Sequence, residues 1–452
     1  MRVLFVSSEA APFAKSGGLG DVIGSLPGEL RKQGVEAEVI LPLYRSIKQR
    51  YGEELTYVTC FRVPLAWRRQ YAGLFRMEYE GVPFWFLDNE QYFDRDGYYG
   101  YFDDGERFAY FSRAVLEALS HMEDLPRILH CSEWQTALTP VYLKTLYAGR
   151  EGYGSLRTVF TIHNIEYQGE YDPWILGDVL GLSEREGTLV KYNGDVNYMK
   201  GAIVACDKLT TVSPSYAGEI QEAFFAHGLE RIIRENSYKL SGIINGIDRK
   251  LFNPAKDKAL PYHYTYATKE KKALNKAALQ RELGLAEDGD VPLVAMVGRM
   301  APHKGLDLVR RVFREMMEEP IQFAILGTGD KKYEDFFLSA QNQYPGRAAA
   351  RLGFAADLAS RMYSGADLFL MPSVSEPCGL AQMIAMRYGT IPIVRETGGL
   401  KDSVEAFNPQ TGKGNGITFA TVNAHDMLGA VKRGLELYRD PVRWQQLVKN
   451  AF

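Results

Sequence analysis

Short apolar runs, each closed by turn-forming residues, recur along the chain. Val3 to Ser7 reads as a buried strand, Lys15 to Asp21 as a glycine-rich loop, Asp21 to Gln33 as a helix stopped by Gly34, and Glu38 to Leu43 as a second strand. This is one strand–helix–strand unit with a polar loop at the carboxyl end of its first strand. Further runs at Phe84 to Leu87, Thr158 to Ile162, Lys208 to Val212 and Ser241 to Ile244, with helical stretches between several of them, predict a doubly wound parallel sheet. The alternation breaks over the polar, proline-containing stretch Asn253 to Tyr262, which suits a linker or hinge, and then restarts. Pro292 to Val297, Gln322 to Leu326, Leu368 to Met371 and Ile391 to Val394 read as strands, each followed by a glycine-bearing or polar turn and a helix. The expectation is an α/β protein of two doubly wound, Rossmann-like domains facing across a cleft: residues 1–250, a hinge at 251–262, and residues 263–452.

Composition narrows the chemistry. A chain of 452 residues is too long for a single hydrophobic core, which agrees with two domains. The formal charge of −3, without a long run of Lys or Arg, argues against nucleic acid. Cys60, Cys131, Cys206 and Cys378 form no Cys-x-x-Cys pair, so neither a disulfide framework nor a cysteine zinc site is expected, and reduced thiols in a bacterial-type cytoplasm fit best. The N-terminus lacks the apolar length of a signal peptide, and no stretch is long enough to span a bilayer.

Several turns have the composition of anion sites. Lys15-Ser16-Gly17-Gly18-Leu19-Gly20-Asp21 joins a strand to a helix, so backbone N–H groups and a helix N-terminus can cradle a diphosphate while Lys15 adds a point charge. The glycine spacing is neither the dinucleotide fingerprint nor a Gly-Lys-Ser/Thr loop. Arg299 and Lys304 follow the strand Pro292 to Val297 and supply two cations that can clamp a leaving diphosphate. A solvated turn is the alternative, but two more glycine turns follow in the same half: Gly327-Thr328-Gly329-Asp330 and Thr397-Gly398-Gly399. The segment 372–380 ends a strand and is predicted to open a helix that closes at Gly389. There the N–H groups of Cys378, Gly379 and Leu380 meet sugar hydroxyls and Glu376 accepts further bonds, unless Glu376 is simply a first-turn carboxylate favoured by the helix dipole. His163 directly follows the strand Thr158 to Ile162 and begins a polar run to Gly169. The pairs Asp94/Asp96 and Asp288/Asp290 superficially offer metal ligands; the second reads as a turn, the first as a loop nearer an acceptor than a metal.

In order along the chain, Lys-Ser-Gly-Gly-Leu-Gly-Asp at 15–21, His-Asn-Ile-Glu-Tyr-Gln-Gly at 163–169, Asn-Gly-Ile-Asp at 245–248, Arg299 with Lys304, Glu-Pro-Cys-Gly-Leu-Ala-Gln at 376–382 and the run from Arg387 to Leu400 closely resemble the bacterial glycogen synthases and plant starch synthases. The resemblance covers Met1 to about Asn450. It implies the two-domain GT-B fold and a hexosyltransferase that moves glucose from ADP-glucose, with retention, to the non-reducing end of an α-1,4-glucan, with no metal or other cofactor. By that analogy Lys15, Gly17, Gly18 and Asp21, together with Asn245, Gly327, Thr397 and Gly398, serve the donor. Arg299 and Lys304 hold the leaving diphosphate, Glu376 with Cys378, Gly379 and Leu380 positions the glucose, and His163 sits beside the reacting carbon.

The chain departs from the family's pattern at three positions. Glu133 stands where the family has Asp before Trp134 and is counted with the catalytic set. Ser375 replaces an aromatic and Arg231 a glycine; broader relatives carry a second glutamate eight positions after the first, where Ile384 is as expected in this branch. The resemblance also implies a further terminal helix beyond Phe452. These departures keep two rival readings open: a related retaining transferase using UDP-glucose or a small acceptor, and a catalytically weakened glucan-binding protein.

Overall fold

The computed structural model describes residues 1–452, whose backbone divides into two units: Met1–Val212 with Ala217–Ile243, and Ser213–Tyr216 with Ile244–Phe452. The division thus falls at Ile243, ahead of the predicted limit at residue 250. The stretch 251–262, expected as a hinge, belongs to the second unit and carries Leu260 into its core.

The first unit is built on β1 (Arg2–Val6), β2 (Glu36–Pro42), β3 (Thr56–Leu65), β4 (Arg68–Tyr79), β5 (Val82–Asp88), β6 (Ile128–Ser132), β7 (Arg157–Ile162), a small sheet of β8 (Glu170–Tyr171), β9 (Lys191–Tyr192) and β10 (Asp195–Asn197), then β11 (Lys208–Thr211) and β12 (Leu240–Gly242). The main sheet runs β12-β11-β7-β6-β1-β2-β5-β4-β3. From β12 to β5 every pairing is parallel. The hairpin β3–β4 adds two antiparallel strands that the apolar runs did not reveal. Much of β3 lies at the surface, where Thr59 and Arg62 interrupt its apolar residues, whereas all seven residues of β5 are buried. At the outer edge, β3 slips register between Tyr57 and Thr59 and contains Pro64, while β12 at the opposite edge is three residues long.

The second unit holds β13 (Leu293–Val297), β14 (Gln322–Gly327), β15 (Ala348–Leu352), β16 (Leu368–Met371), β17 (Ile391–Arg395) and β18 (Ile417–Phe419), all parallel, in the order β15-β14-β13-β16-β17-β18. Side chains alternate across the sheet. Val294, Met296, Phe323, Ile325, Leu368 and Leu370 enter one apolar core, and Leu293, Ala295, Ala324, Leu326, Phe369 and Met371 enter the other. With both faces covered, these strands read as continuous apolar runs.

In each sheet the first strand lies inside the order, and the chain builds first one side and then the other, the first unit reaching its edge at β3 and returning through β4 to β5. The direction reverses between β1 and β6 in the first unit, and between β13 and β16 in the second. Ligands of doubly wound sheets bind outside the strand ends at such reversals. No helix is long and apolar enough to cross a membrane.

Candidate functional site

In the first unit the loops leaving β1, β6 and β7 carry the predicted residues. The helix expected from Asp21 begins at Gly18, so the glycine loop itself forms the first turn, and no side chain caps it. Lys15 Nζ meets Asp21 Oδ1 at 2.6 Å, bringing two predicted residues together. The expectation that this loop offers all its amides to a ligand needs correction. Glu9, buried just after β1, accepts from the Ser16 and Gly17 N–H groups at 2.5 and 3.3 Å and from Ser16 Oγ at 2.6 Å. Two amides are thus taken internally, because a buried carboxylate without donors would be costly. Glu9 escaped the sequence reading, although an acid at the carboxyl end of the first strand of a doubly wound sheet was the available signal.

Glu133 follows β6 with φ 66° and ψ 170°, a backbone region that glycine enters freely and other residues at a cost of about 1–3 kcal/mol. Its side chain does not point away as a reagent. Oε1 accepts the backbone N–H groups of His163 and Asn164, the latter at 2.8 Å, and so fixes the turn that follows β7. Through Oε1, Glu133 holds the turn that carries His163 and Asn164 in position. Burial pushes its carboxyl up to about 8, the two backbone bonds opposing and Glu9 adding to the rise. His163 is driven down to about 3 by burial and by His130, so its imidazole is neutral at pH 7. His130 is itself lowered to about 4 by burial and lies 2.6 Å from Thr161 Oγ1, which continues to Thr210 Oγ1 at 2.6 Å across β6, β7 and β11.

In the second unit, the loops after β13, β14, β16 and β17 interlock at the carboxyl edge of four adjacent strands. Glycine permits each close approach. A Cβ on Gly305, at φ 72°, would lie 1.9 Å from Pro372 O; on Gly327, 1.9 Å from Gly298 O; on Gly398, 2.1 Å from Glu376 O. Lys304 Nζ meets Glu376 Oε2 at 2.6 Å, and Ser373 Oγ donates to the same oxygen at 3.0 Å. Arg395 secures that turn by donating to Ser373 O and Val374 O at 2.7 and 2.6 Å. Asn245 hydrogen-bonds the Cys378 thiol, which burial pushes up to about 12. The structure thus gathers Lys304, Glu376, Cys378, Asn245 and Gly398, with Arg299 on the same loop as Lys304. Ser373 and Arg395 were missed, since a strand-end serine and a buried strand arginine carry no motif.

Two expectations fail locally. The helix predicted to open at Pro377 begins at Ala381, because Gly379 has φ 70°, which a helix cannot continue. The turn 327–330 is closed on itself: Glu334 accepts from Gly329 N at 2.9 Å and Thr328 Oγ1 at 2.6 Å, while Asp330 N donates to Met300 O. Gly327 packs this loop against Gly298, and the amides of Gly329 and Asp330 are engaged within the protein. Of the departures, Arg231 pairs with Glu235 on the surface, and the structure gives Ser375 no role beyond the turn. Asp94 and Asp96 are both engaged by Arg45, and no group of three His, Cys, Asp or Glu side chains is gathered to hold a metal.

Residues 2–235 match the model of the starch synthase catalytic domain, and residues 281–451 that of the group 1 glycosyl transferases. A glycogen synthase of Geobacillus stearothermophilus is 51% identical over all of this chain and 93% of its own length. One of Bacillus cereus is 48% identical, covering 100% of this chain and 95% of that protein. The catalytic domain of starch synthase IV from Arabidopsis thaliana, solved with ADP and acarbose, superposes with a TM-score of 0.91 at 36% identity, over 99% of this chain and 94% of that one. Sucrose-phosphate synthase from Thermosynechococcus elongatus, at 16% identity and TM-score 0.60 over 100% of this chain and 92% of that one, shares the fold alone. The chain belongs to the glycogen and starch synthase family of glycosyltransferases, with the GT-B fold.

Proposed function

We propose that the glucosyl donor is ADP-glucose and that glucose passes, with retention, to the non-reducing end of an α-1,4-glucan. The reading is carried by the Lys304–Glu376 pair. A cation and a sugar-binding carboxylate stand side by side where the loops after β13 and β16 flank the sheet's reversal point. Lys304 and Arg299 stabilise the negative charge that grows on the departing diphosphate. Glu376 is already oriented by Ser373 and accepts from the glucose hydroxyls, with the backbone at 378–380 supplying donors. Neutral His163 takes part in hydrogen bonding at the reacting carbon without adding a positive charge there. Two cations beside a first helical turn supply the electrostatic role that a divalent metal plays elsewhere, so a metal-independent reaction is expected.

ADP bound to the Arabidopsis starch synthase IV supports adenine over uracil in the donor. A cytoplasmic location is supported by four cysteines, none in a disulfide. The test is incorporation of labelled glucose into glycogen from ADP-glucose and, in parallel, UDP-glucose, with EDTA present. Preference for UDP-glucose would overturn the donor assignment, and loss of activity in EDTA would overturn metal independence. An anomeric product other than α would overturn retention.

A further inference from the structure

Glu9 is surrounded by four donors. Ser16 N–H and Gly17 N–H meet Oε2, while Ser16 Oγ and Tyr99 OH, at 2.6 and 2.8 Å, meet Oε1. Tyr99 OH is also 2.8 Å from Ser8 Oγ, so the two hydroxyls and the carboxylate form one chain at the end of β1. Burial and the nearby carboxylate hold the Tyr99 phenol well above its ordinary range, keeping it a proton donor. The segment that carries Tyr99 is pinned repeatedly. Arg45 takes Asp94 and Asp96, Arg95 takes both oxygens of Asp103 at 2.6 Å, Gly100 N donates to Asp104 at 2.8 Å, and fully buried Arg107 donates to Tyr98 O at 3.1 Å. Three arginines thus fix a loop whose inward hydroxyl ends on Glu9.

We propose that Glu9 and Tyr99 are positioning residues for the donor: the carboxylate is a resident anion that holds the Ser16 and Gly17 amides inward, and Tyr99 locks that carboxylate in place. The first-turn amides from Gly18 onward and Lys15 are then presented to the diphosphate in fixed geometry. The inference rests on the reading of residues 15–21 as the donor's phosphate loop. The partners of Oε2 are backbone amides, which can only donate, whereas those of Oε1 are hydroxyls that can also accept, so a glutamine can turn its carbonyl to the amides and its NH2 to the hydroxyls; removing the acceptor from the amides takes alanine. No bond is made or broken in this role, and neither residue touches the reacting atoms.

The test uses the full chain and measures kcat, the KM for ADP-glucose and the KM for glycogen separately, with the Kd of ADP by calorimetry. Tyr99→Phe keeps the ring packing against Phe108 and removes one charge-assisted bond. It is expected to raise the donor KM and the ADP Kd about tenfold. The glycogen KM should stay within about twofold of wild type. Glu9→Ala, which leaves the Ser16 and Gly17 amides without their acceptor, should exceed that donor effect, and Ser16→Ala should match Tyr99→Phe, standing in should Glu9→Ala fail to fold. An unchanged donor KM and ADP Kd in Tyr99→Phe and Ser16→Ala would overturn the inference, as would equal rises in both KM values, which mark a general structural loss. If the wild type uses UDP-glucose instead, the donor assignment fails on its own, and the same variants are read with UDP-glucose and UDP.

Discussion

Glu133→Gln isolates what a buried carboxyl costs this fold. Both backbone bonds from residues 163 and 164 reach the same oxygen, Oε1, so a glutamine carbonyl can receive them in the same geometry. What changes is the capacity to ionise. Burial raises the carboxyl from 4.5 to about 8, so between these values the unfolded chain releases a proton that the folded chain keeps. Stability attributed to protonated Glu133 is therefore fully present below pH 4.5 and is lost as pH climbs through 8. Each tenfold change in proton affinity is worth about 1.4 kcal/mol, so the loss relative to a group that does not titrate is about 3 kcal/mol at pH 7 and about 5 kcal/mol by pH 9. Melting of wild type and Glu133→Gln should coincide near pH 4.5, with the variant pulling ahead up to about pH 8 and the gap levelling off beyond it. Transfer activity of the variant should survive, because the 163–164 turn is retained, whereas Glu133→Ala should lose about a hundredfold through displacement of His163. A difference in melting temperature that does not vary with pH would refute the reasoning.

Further expectations can be checked with ordinary assays. Lys304→Ala should lower kcat about a hundred- to a thousandfold while circular dichroism remains native, and unchanged activity would remove Lys304 from the site. Gly327→Ala forces the loop 298–300 away from a Cβ placed 1.9 Å from Gly298 O, so activity should fall more than tenfold through Arg299; wild-type kinetics would show that the loop yields freely. Arg107→Met leaves buried Asp104 without its cation and should cost about 3–5 kcal/mol in denaturant unfolding. His130 and His163 are both held neutral by burial, so between pH 6.5 and 4 the unfolded chain binds protons that the folded chain refuses. Stability should fall with pH across that window, and more shallowly in the double variant His130→Gln, His163→Gln.

Both parallel cores were legible because strands buried on two faces write uninterrupted apolar runs, as Leu293–Val297 and Gln322–Gly327 do. Strands with another surface were not. Ala348–Leu352 is mostly alanine, Ile128–Ser132 ends in His130, Cys131 and Ser132, and the hairpin 56–79 turns many of its side chains toward solvent. The site followed the same logic. Turn composition located the loops at 15–21, 298–305, 372–380 and 397–399, since glycine and charge at strand ends are local signals. Who occupies the amides is a long-range matter. Glu9 on Ser16 and Gly17, Glu334 on Gly329, and Glu133 on residues 163 and 164 are settled by tertiary packing, so two predicted anion cradles proved partly or wholly filled from within.

The edges of the nine-stranded sheet bear on how this chain keeps to itself. A long unpaired strand is a template on which another copy can crystallise its own backbone, and a ten-residue edge such as β3 would be an invitation. The register slip near Tyr57 spoils the flat ladder, Pro64 withholds an N–H, and β12 at the far edge is too short to seed anything. These irregularities discourage fibres, and straightening β3 for the sake of stability would trade solubility for order.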